Sequence, residues 1–302
     1  MWDDIETRFD NYSEILQALE WISLFFVVLM VFETVWDYIT KVRPNLRESF
    51  ANTLIAVGNS ALEFVGVGLL FILGVFFVEY FIPYQLPITW WSWVLAIVFA
   101  DLTYYWMHRI EHEIRFFWTY HSVHHSSTEY NLTTSLRLAW VEVLIEWLFL
   151  IPMLLLGFSA PQIIIALYIV VVYQTWIHTE KIGKLGWVDR VFNTPSVHRV
   201  HHGSNKYCLD KNYGGIFIVW DRIFGTYQAE DEKVIYGITK PVNSSNPIKI
   251  NVHETLLMIG DMKRANSLSA SLKYLIKRPG WLSKGHQCSS KLSSKDVTRH
   301  LD

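Results

Sequence analysis

Apolar runs that approach or exceed the roughly 20 residues a helix needs to cross a bilayer recur five times in the first 180 residues: about 21–40, 54–82, 88–107, 139–157 and 161–177. The second carries Gly58, Gly66, Gly68 and Gly74, a pattern that suits close helix packing, tilt or a break. The connections "IPYQLPIT" (82–89) and "GFSAPQ" (157–162) are short and hold no Lys or Arg, so they read as two hairpin turns on one side of the membrane. More polar segments, 108–138 and 178–255, fall on the other side. The pattern predicts an all-α fold, a multi-pass membrane helix bundle forming a single domain over 1–302, with a cytosolic helical cap. A basic tail from about 265, Ser- and Lys-rich after Ser283, is expected to be mobile. Within it "SLSASLKYLIKRPGW" (267–281) mixes apolar and basic residues in a way that suits an anionic membrane surface.

Orientation follows from where the basic residues sit. Of 26 Lys and Arg, only Arg8 lies on the face shared by the N-terminus and the two turns. The N-terminus is therefore expected outside. All 12 histidines then fall on the inner side, although histidine did not enter the count. The acidic start "MWDDIETRFDNYSEILQALE" has no basic region or small-residue cleavage site, so no cleaved signal peptide is expected. Composition agrees with a membrane chain: 51% of residues are hydrophobic and 18% charged, with a positive mean hydropathy. A net charge of −2 offers no reason to expect a nucleic-acid partner. Cys208 and Cys288, the two cysteines, are expected as unpaired thiols on the cytosolic side.

The candidate chemistry lies in the histidines. His108 and His112 form H-x3-H; His121, His124 and His125 form H-x2-H-H; His198, His201 and His202 repeat it; His178 stands alone in "TWIHTE". His253, His286 and His300 lie outside the pattern. Residues three or four apart share a helix face, so His108 and His112 suit one metal. In H-x2-H-H the outer pair lies near one line, while the middle histidine is turned by about 100° from its neighbour. One motif can thus feed two adjacent metals. Nine imidazoles exceed what one ion accepts, and two metals accommodate them with positions left for oxygen or water. Zinc, copper, iron and nickel all suit imidazole. The absence of cysteine from the motifs argues against an iron–sulfur centre, and the Glu-x-x-His pattern of ferritin-like bundles is missing. A zinc hydrolase and a non-catalytic metal-binding membrane protein remain alternatives.

Acidic residues in apolar spans need partners. Asp101 lies two turns before His108, where it could orient the ligand-bearing helix end or pair with a buried Tyr or Trp. Glu142 and Glu146 share a face that could look into a polar cavity; Glu33, Glu63 and Glu79 have no evident role. Asn131, Arg137, Glu180, Asp210, Asn212, Trp220 and Asp221 flank the motifs and could brace the ligand helices. Asp101, Asn131 and Glu180 are the candidates for catalytic support.

The order H-x3-H, H-x2-H-H, lone His, H-x2-H-H from Asp101 to His202, continued by "DKNYGGIFIVWDRIFGTYQAEDEKVIYGIT", resembles the membrane fatty acid hydroxylase and sterol desaturase superfamily. "EYNLTTSLR", "YQTWIHTEKIGKLGW", "NTPSVHRVHHGSNKYCLDKNYGG" and "KRPGW" look most like its ether-lipid-cleaving branch. The resemblance implies two Fe ions on the nine histidines and an oxygen-dependent monooxygenase reaction beside an ether oxygen of a membrane lipid. It also implies a tetrahydrobiopterin reductant, for which no binding motif is readable. Relatives acting on fatty acyl chains, sterols or aminolipids share the motifs. The resemblance places such a protein in the endoplasmic reticulum of a eukaryote or the inner membrane of a bacterium.

Overall fold

The structure, a computed structural model, describes residues 7–40 and 45–283. Among these residues every element is a helix, and pairing is limited to two isolated bridges, Phe192 with Phe217 and Gly203 with Tyr236. Numbered from Ser13, the helices are α1 (Ser13–Ile39), α2 (Leu46–Phe64), α3 (Val67–Glu79), α4 (Trp90–Glu113), α5 (Arg115–His125), α6 (Val143–Glu146), α7 (Ile151–Leu155), α8 (Ala160–Gln174), α9 (Pro195–His201), α10 (Val219–Phe224), α11 (Pro247–Lys263) and α12 (Leu268–Ile276).

The apolar runs do not all become long helices. Among the described residues, α1 alone is long and apolar enough to cross a bilayer, and α2 with α3 makes a second such span if the bent pair is taken as one. The bend is 58° and falls at Gly66, whose φ of +92° lies in the left-handed region that a side chain disfavours. The expected span 88–107 lies inside α4, which runs on through both histidines of H-x3-H. The expected span 139–157 is not one helix: α6 passes into a 3₁₀ turn, Trp147–Leu150, and then α7. Trp140 and Trp147 are drawn against α2 and α3 there, where Cβ atoms added to Gly58 and Gly74 would lie 2.6 and 2.7 Å from their rings. The last expected span shortens to the 15 residues of α8.

The core sits where α4 packs along α8. Ala96 and Ala100 of α4 meet Ile163, Ala166 and Val170 of α8, all fully buried, and small residues allow that close approach. By contrast, α1 leaves Trp21, Phe25, Phe32 and Trp36 exposed, as a lipid-facing helix would. Two buried glutamates tie these apolar helices to the rest. Glu33 of α1 accepts the Leu132 N–H at 2.7 Å and the Thr179 hydroxyl; Glu79 of α3 accepts both Arg8 guanidinium nitrogens and the Ala160 N–H.

On the polar side, α11 packs on α5 and α2, and α12 on α11 and α5. Arg115, fully buried, anchors this layer through Glu254 at 3.1 Å and Asp261 at 2.8 Å. Of the tail expected to be mobile from about 265, the described part includes α12, which buries Tyr274, and Lys277 O accepts the Arg115 N–H; the Ser- and Lys-rich stretch after Ser283 lies outside the described residues. Outward, α12 exposes Leu268, Leu272 and Ile276. Cys208 is a buried free thiol, held up in pKa by burial. Cys288, His286 and His300 lie outside the described residues.

Candidate metal centre

Four short elements bring the histidines together. The last turns of α4 carry His108 and His112. At Ile114 the backbone is extended (φ −116°, ψ 119°), so the chain turns into α5, which presents His121, His124 and His125. His178 follows the end of α8. Pro195 starts α9, a position where its missing N–H leaves no bond unmade, and α9 carries His198 and His201, with His202 as its C-cap.

All nine imidazoles are buried. They fall into two groups, His108, His112, His121, His125 and His201 in one, and His124, His178, His198 and His202 in the other, with candidate ligand atoms in each group within 4.8 Å of one another. The two H-x2-H-H motifs divide reciprocally. His121 and His125, the outer pair of the first, join the five-histidine group and its middle His124 joins the other; His198 and His202 join the four-histidine group and the middle His201 crosses over. That division follows from the helical repeat, which sets the middle side chain on a different face from the outer two.

Their hydrogen bonds show what such a cluster needs. His108 Nδ1 faces Tyr213 O at 2.9 Å, His124 Nδ1 faces Arg137 O at 3.3 Å, His178 Nδ1 faces Gln174 O at 2.7 Å and His201 Nδ1 faces Lys211 O at 2.9 Å. A carbonyl only accepts, so each Nδ1 carries the proton and each Nε2 a lone pair. Yet the Nε2 atoms of His124 and His178 lie 3.2 Å apart. Two lone pairs at that distance repel rather than bond, and His201 Nε2 is buried with no hydrogen-bond partner among the described residues. A cation in each group would remove both problems. For a metal–nitrogen distance of about 2.1 Å, the Nε2 spacings of 3.0–3.2 Å within the groups subtend roughly 90–100° at the ion, closer to a six-coordinate than a tetrahedral site. Burial first, and neighbouring imidazoles at most positions, hold all nine well below the usual histidine range. They are therefore neutral, as metal binding requires. Each group thus has the donors and geometry to hold a metal ion.

The flanking residues act at one remove. Asp101 does not reach a histidine: its carboxylate accepts the Ile216 and Phe217 N–H groups and Trp220 Nε1–H, fixing the loop that offers Tyr213 O to His108. Asp221 holds the same loop through the Tyr213 and Gly214 N–H groups, both at 2.8 Å. Asn212, with φ +58°, donates to Val197 O and Gln228 O. Arg137, fully buried, donates to Glu48, Asn52, Ser126 and Val123 O, joining α2 to the carbonyl that receives His124. Asn131 is taken up as the N-cap of the 3₁₀ turn Leu132–Leu136. Glu180 accepts the Tyr236 hydroxyl at 3.0 Å; Tyr236 stacks on Tyr130, whose ring centroid is 5.2 Å from that of His202. Asp210 lies 3.7 Å from Arg278. Sequence reasoning missed Glu111, whose Oε2 is 3.1 Å from His121 Nδ1, and Arg199, inside the last motif, which pairs with Glu230 and donates to Thr179 O and Ile182 O. Arg199 lies one residue after His198, a position that signalled its place off the ligand face but not its partners.

Two cavities reach the histidines. One, of about 150 Å³, is bounded by His112, His125, His201, Trp118, Asp210 and Lys240. The other, of about 160 Å³, touches both groups through His121, His124 and His178, and is lined further by Tyr104, Glu111, Glu142 and Glu146.

Residues 93–226 match the family model described as fatty acid hydroxylase. The chain is 38% identical over 283 residues to the alkylglycerol monooxygenase of Homo sapiens, covering 91% of this chain and 62% of that protein. It is 36% identical over 286 residues to the alkylglycerol monooxygenase of Xenopus tropicalis, again 91% and 62%. An ornithine lipid hydroxylase of Rhizobium tropici is 29% identical over 150 residues, 49% of this chain and 45% of that protein. The chain thus spans less than two thirds of the length of the human and Xenopus tropicalis proteins it matches. No solved structure matches it.

Proposed function

We propose, from the match of residues 93–226 to the fatty acid hydroxylase family model, that this chain is an oxygen-dependent, di-iron lipid monooxygenase that hydroxylates the carbon beside the ether oxygen of alkylglycerol lipids. The observation that carries the reading is the reciprocal division of two H-x2-H-H motifs between two groups whose lone pairs converge. Similarity to the alkylglycerol monooxygenases over 91% of the chain supports the choice of substrate.

His108, His112, His121, His125 and His201 would hold one iron, and His124, His178, His198 and His202 the other; when bound, the irons supply the oxygen and one-electron chemistry that no side chain performs. The carbonyls of Tyr213, Arg137, Gln174 and Lys211 fix the imidazole tautomers. The cavity of His121, His124 and His178 brings the lipid to both groups, and its apolar wall of Met107, Leu138, Leu167 and Val171 excludes water. In the overall balance one oxygen atom of O2 enters the C–H bond and the other leaves as water, with two electrons and two protons from a reductant. The hemiacetal hydroxyl proton then passes to the glycerol oxygen as the C–O bond breaks, giving a fatty aldehyde and a free glycerol. The reductant, tetrahydrobiopterin on the same likeness, would approach through the cavity of Trp118, Asp210 and Lys240. The protein is read as integral and multi-pass with the site on the cytosolic face. Exposed Leu268, Leu272 and Ile276 beside Lys273 and Lys277 support α12 lying on the bilayer surface.

Turnover of 1-O-hexadecylglycerol in oxygen-18 gas should place label in the aldehyde before exchange, and deuterium beside the ether oxygen should slow the step. Label from water, with no need for oxygen gas, would establish hydrolysis and discard the reading. Hydroxylation or desaturation of an acyl chain, sterol or aminolipid instead would keep the metal chemistry and change the substrate.

A further inference from the structure

We infer that the cavity walled by His121, His124 and His178 is a subsite for a neutral, hydroxyl-bearing lipid headgroup, that Glu142 and Glu146 receive its hydroxyl hydrogens, and that the alkyl chain lies in the apolar groove between α4 and residues 148–156. The inference deepens the lipid-monooxygenase reading and rests on it.

The cavity touches imidazoles of both groups and carries three carboxyl side chains, Glu111, Glu142 and Glu146, among apolar walls. Glu111 is accounted for: the Tyr120 hydroxyl donates to it at 3.1 Å and His121 Nδ1 lies 3.1 Å away. Glu142 accepts one bond, the Ala139 N–H at 3.1 Å. Glu146 accepts none from any described residue, and no Lys or Arg lines the cavity. A carboxyl group in an apolar segment is costly without a partner. A third cation is not what these side chains are built for, since among the described residues only the two histidine groups have the convergence of a metal site. What remains is a donor brought by the ligand. Hydroxyl groups donate, and a neutral headgroup avoids the repulsion a phosphate would meet.

Position and shape support the same occupant. A groove of about 410 Å³ is lined by Phe99, Leu102, Trp106 and Ile110 of α4 and by Leu148 and Leu156; it has no lining residue in common with the cavity, but α4 and the stretch 142–156 border both. On α4 the cavity face (Tyr104, Met107, Glu111) and the groove face are turned roughly a third of a revolution apart at 3.6 residues per turn. A lipid with its chain in the groove and hydroxyls at Glu142 and Glu146 presents the first chain carbon, next to the ether oxygen, to the histidines.

The test measures binding as well as turnover, with the full chain in phosphatidylcholine nanodiscs. Wild-type protein, with and without metal, should bind 1-O-hexadecylglycerol roughly 10- to 100-fold tighter than its 2,3-di-O-methyl ether, the loss expected when hydroxyls can no longer donate to a carboxylate. E146M, which breaks no bond within the protein, should erase most of that preference while keeping wild-type metal content, and E146Q should restore part of it. E146M should also bind 1-O-hexadecylglycerol-3-phosphate more tightly than wild type does. L148W, which fills the groove, should weaken a 16-carbon ligand more than an 8-carbon one. An unchanged diol preference in E146M, or equal losses for both chain lengths in L148W, overturns the inference. Wild-type protein that binds the diol selectively yet releases no aldehyde would sink the monooxygenase reading and leave the subsite. Aldehyde release with no role for Glu146 would do the reverse.

Discussion

Replacing Asp101 with Asn should loosen the five-histidine group while leaving the four-histidine group intact. Asp101 is fully buried. One carboxylate oxygen accepts the Ile216 N–H; the other accepts the Phe217 N–H at 3.0 Å and Trp220 Nε1–H at 2.8 Å. An amide has one accepting oxygen, so its better orientation keeps the pair of bonds and turns an NH2 toward Ile216. One charge-assisted bond is lost and a buried donor is left facing another donor, about 2–4 kcal/mol in all. Three residues before Ile216, Tyr213 O receives His108 Nδ1. Asp221 still holds the Tyr213 and Gly214 N–H groups, so only part of the disturbance reaches the metal. The expected loss is roughly 10- to 100-fold in metal affinity, the usual scale for partners that orient a ligand. Gly215→Ala should act the same way, because its Cβ would lie 2.7 Å from Asp101 Oδ1 and 2.6 Å from Val170 Cγ1. Chelator competition on cobalt-loaded protein, read by absorbance and by metal stoichiometry, resolves the two groups. Equal loss from both groups, or metal retention matching wild type in both variants, would refute the chain of contacts from Asp101 to His108.

His124→Ala and His201→Ala should each abolish turnover and weaken a different metal position, whereas His253→Ala, whose Nε2 faces only Lys240 O, should do neither; metal analysis of inserted protein compares them. Metal-free protein should lose stability as pH falls below about 6.5, the unfolded histidine value. Folded-state values are depressed for all nine, so their contribution is complete above that pH and declines below it as the unfolded chain takes up protons. Melting temperatures from pH 5 to 8 should show the decline in metal-free protein and a smaller one after metal loading. A flat profile in metal-free protein would contradict burial of neutral imidazoles.

The histidine arrangement was legible because it rests on local geometry. Spacings of three and four within a helix dictate which side chains share a face, whatever the rest of the chain does. The long-range contacts that hold the surrounding framework were not legible. Asp101 meets Ile216, Phe217 and Trp220 across more than 110 residues, Arg137 meets Glu48 across 89, and Arg115 meets Glu254 across 139. The one-sided placement of Lys and Arg carries no register between such segments.

Apolar length misled for a related reason. A window of 19 apolar residues, such as 139–157, records hydrophobicity but not whether the helix can stay straight. Here Trp140 and Trp147 must enter the notches left by Gly58 and Gly74, Pro152 cannot donate an N–H to a preceding turn, and the segment breaks into α6, a 3₁₀ turn and α7. The break has a chemical consequence. A straight helix would keep Glu142 and Glu146 on one continuous stripe with Phe149 and Met153, four and three residues apart. In the broken segment the two glutamates line the histidine cavity while Phe149 and Met153 line the apolar groove. The irregularity that hid this region from hydropathy thus separates a polar wall from an apolar one along a single short stretch of chain.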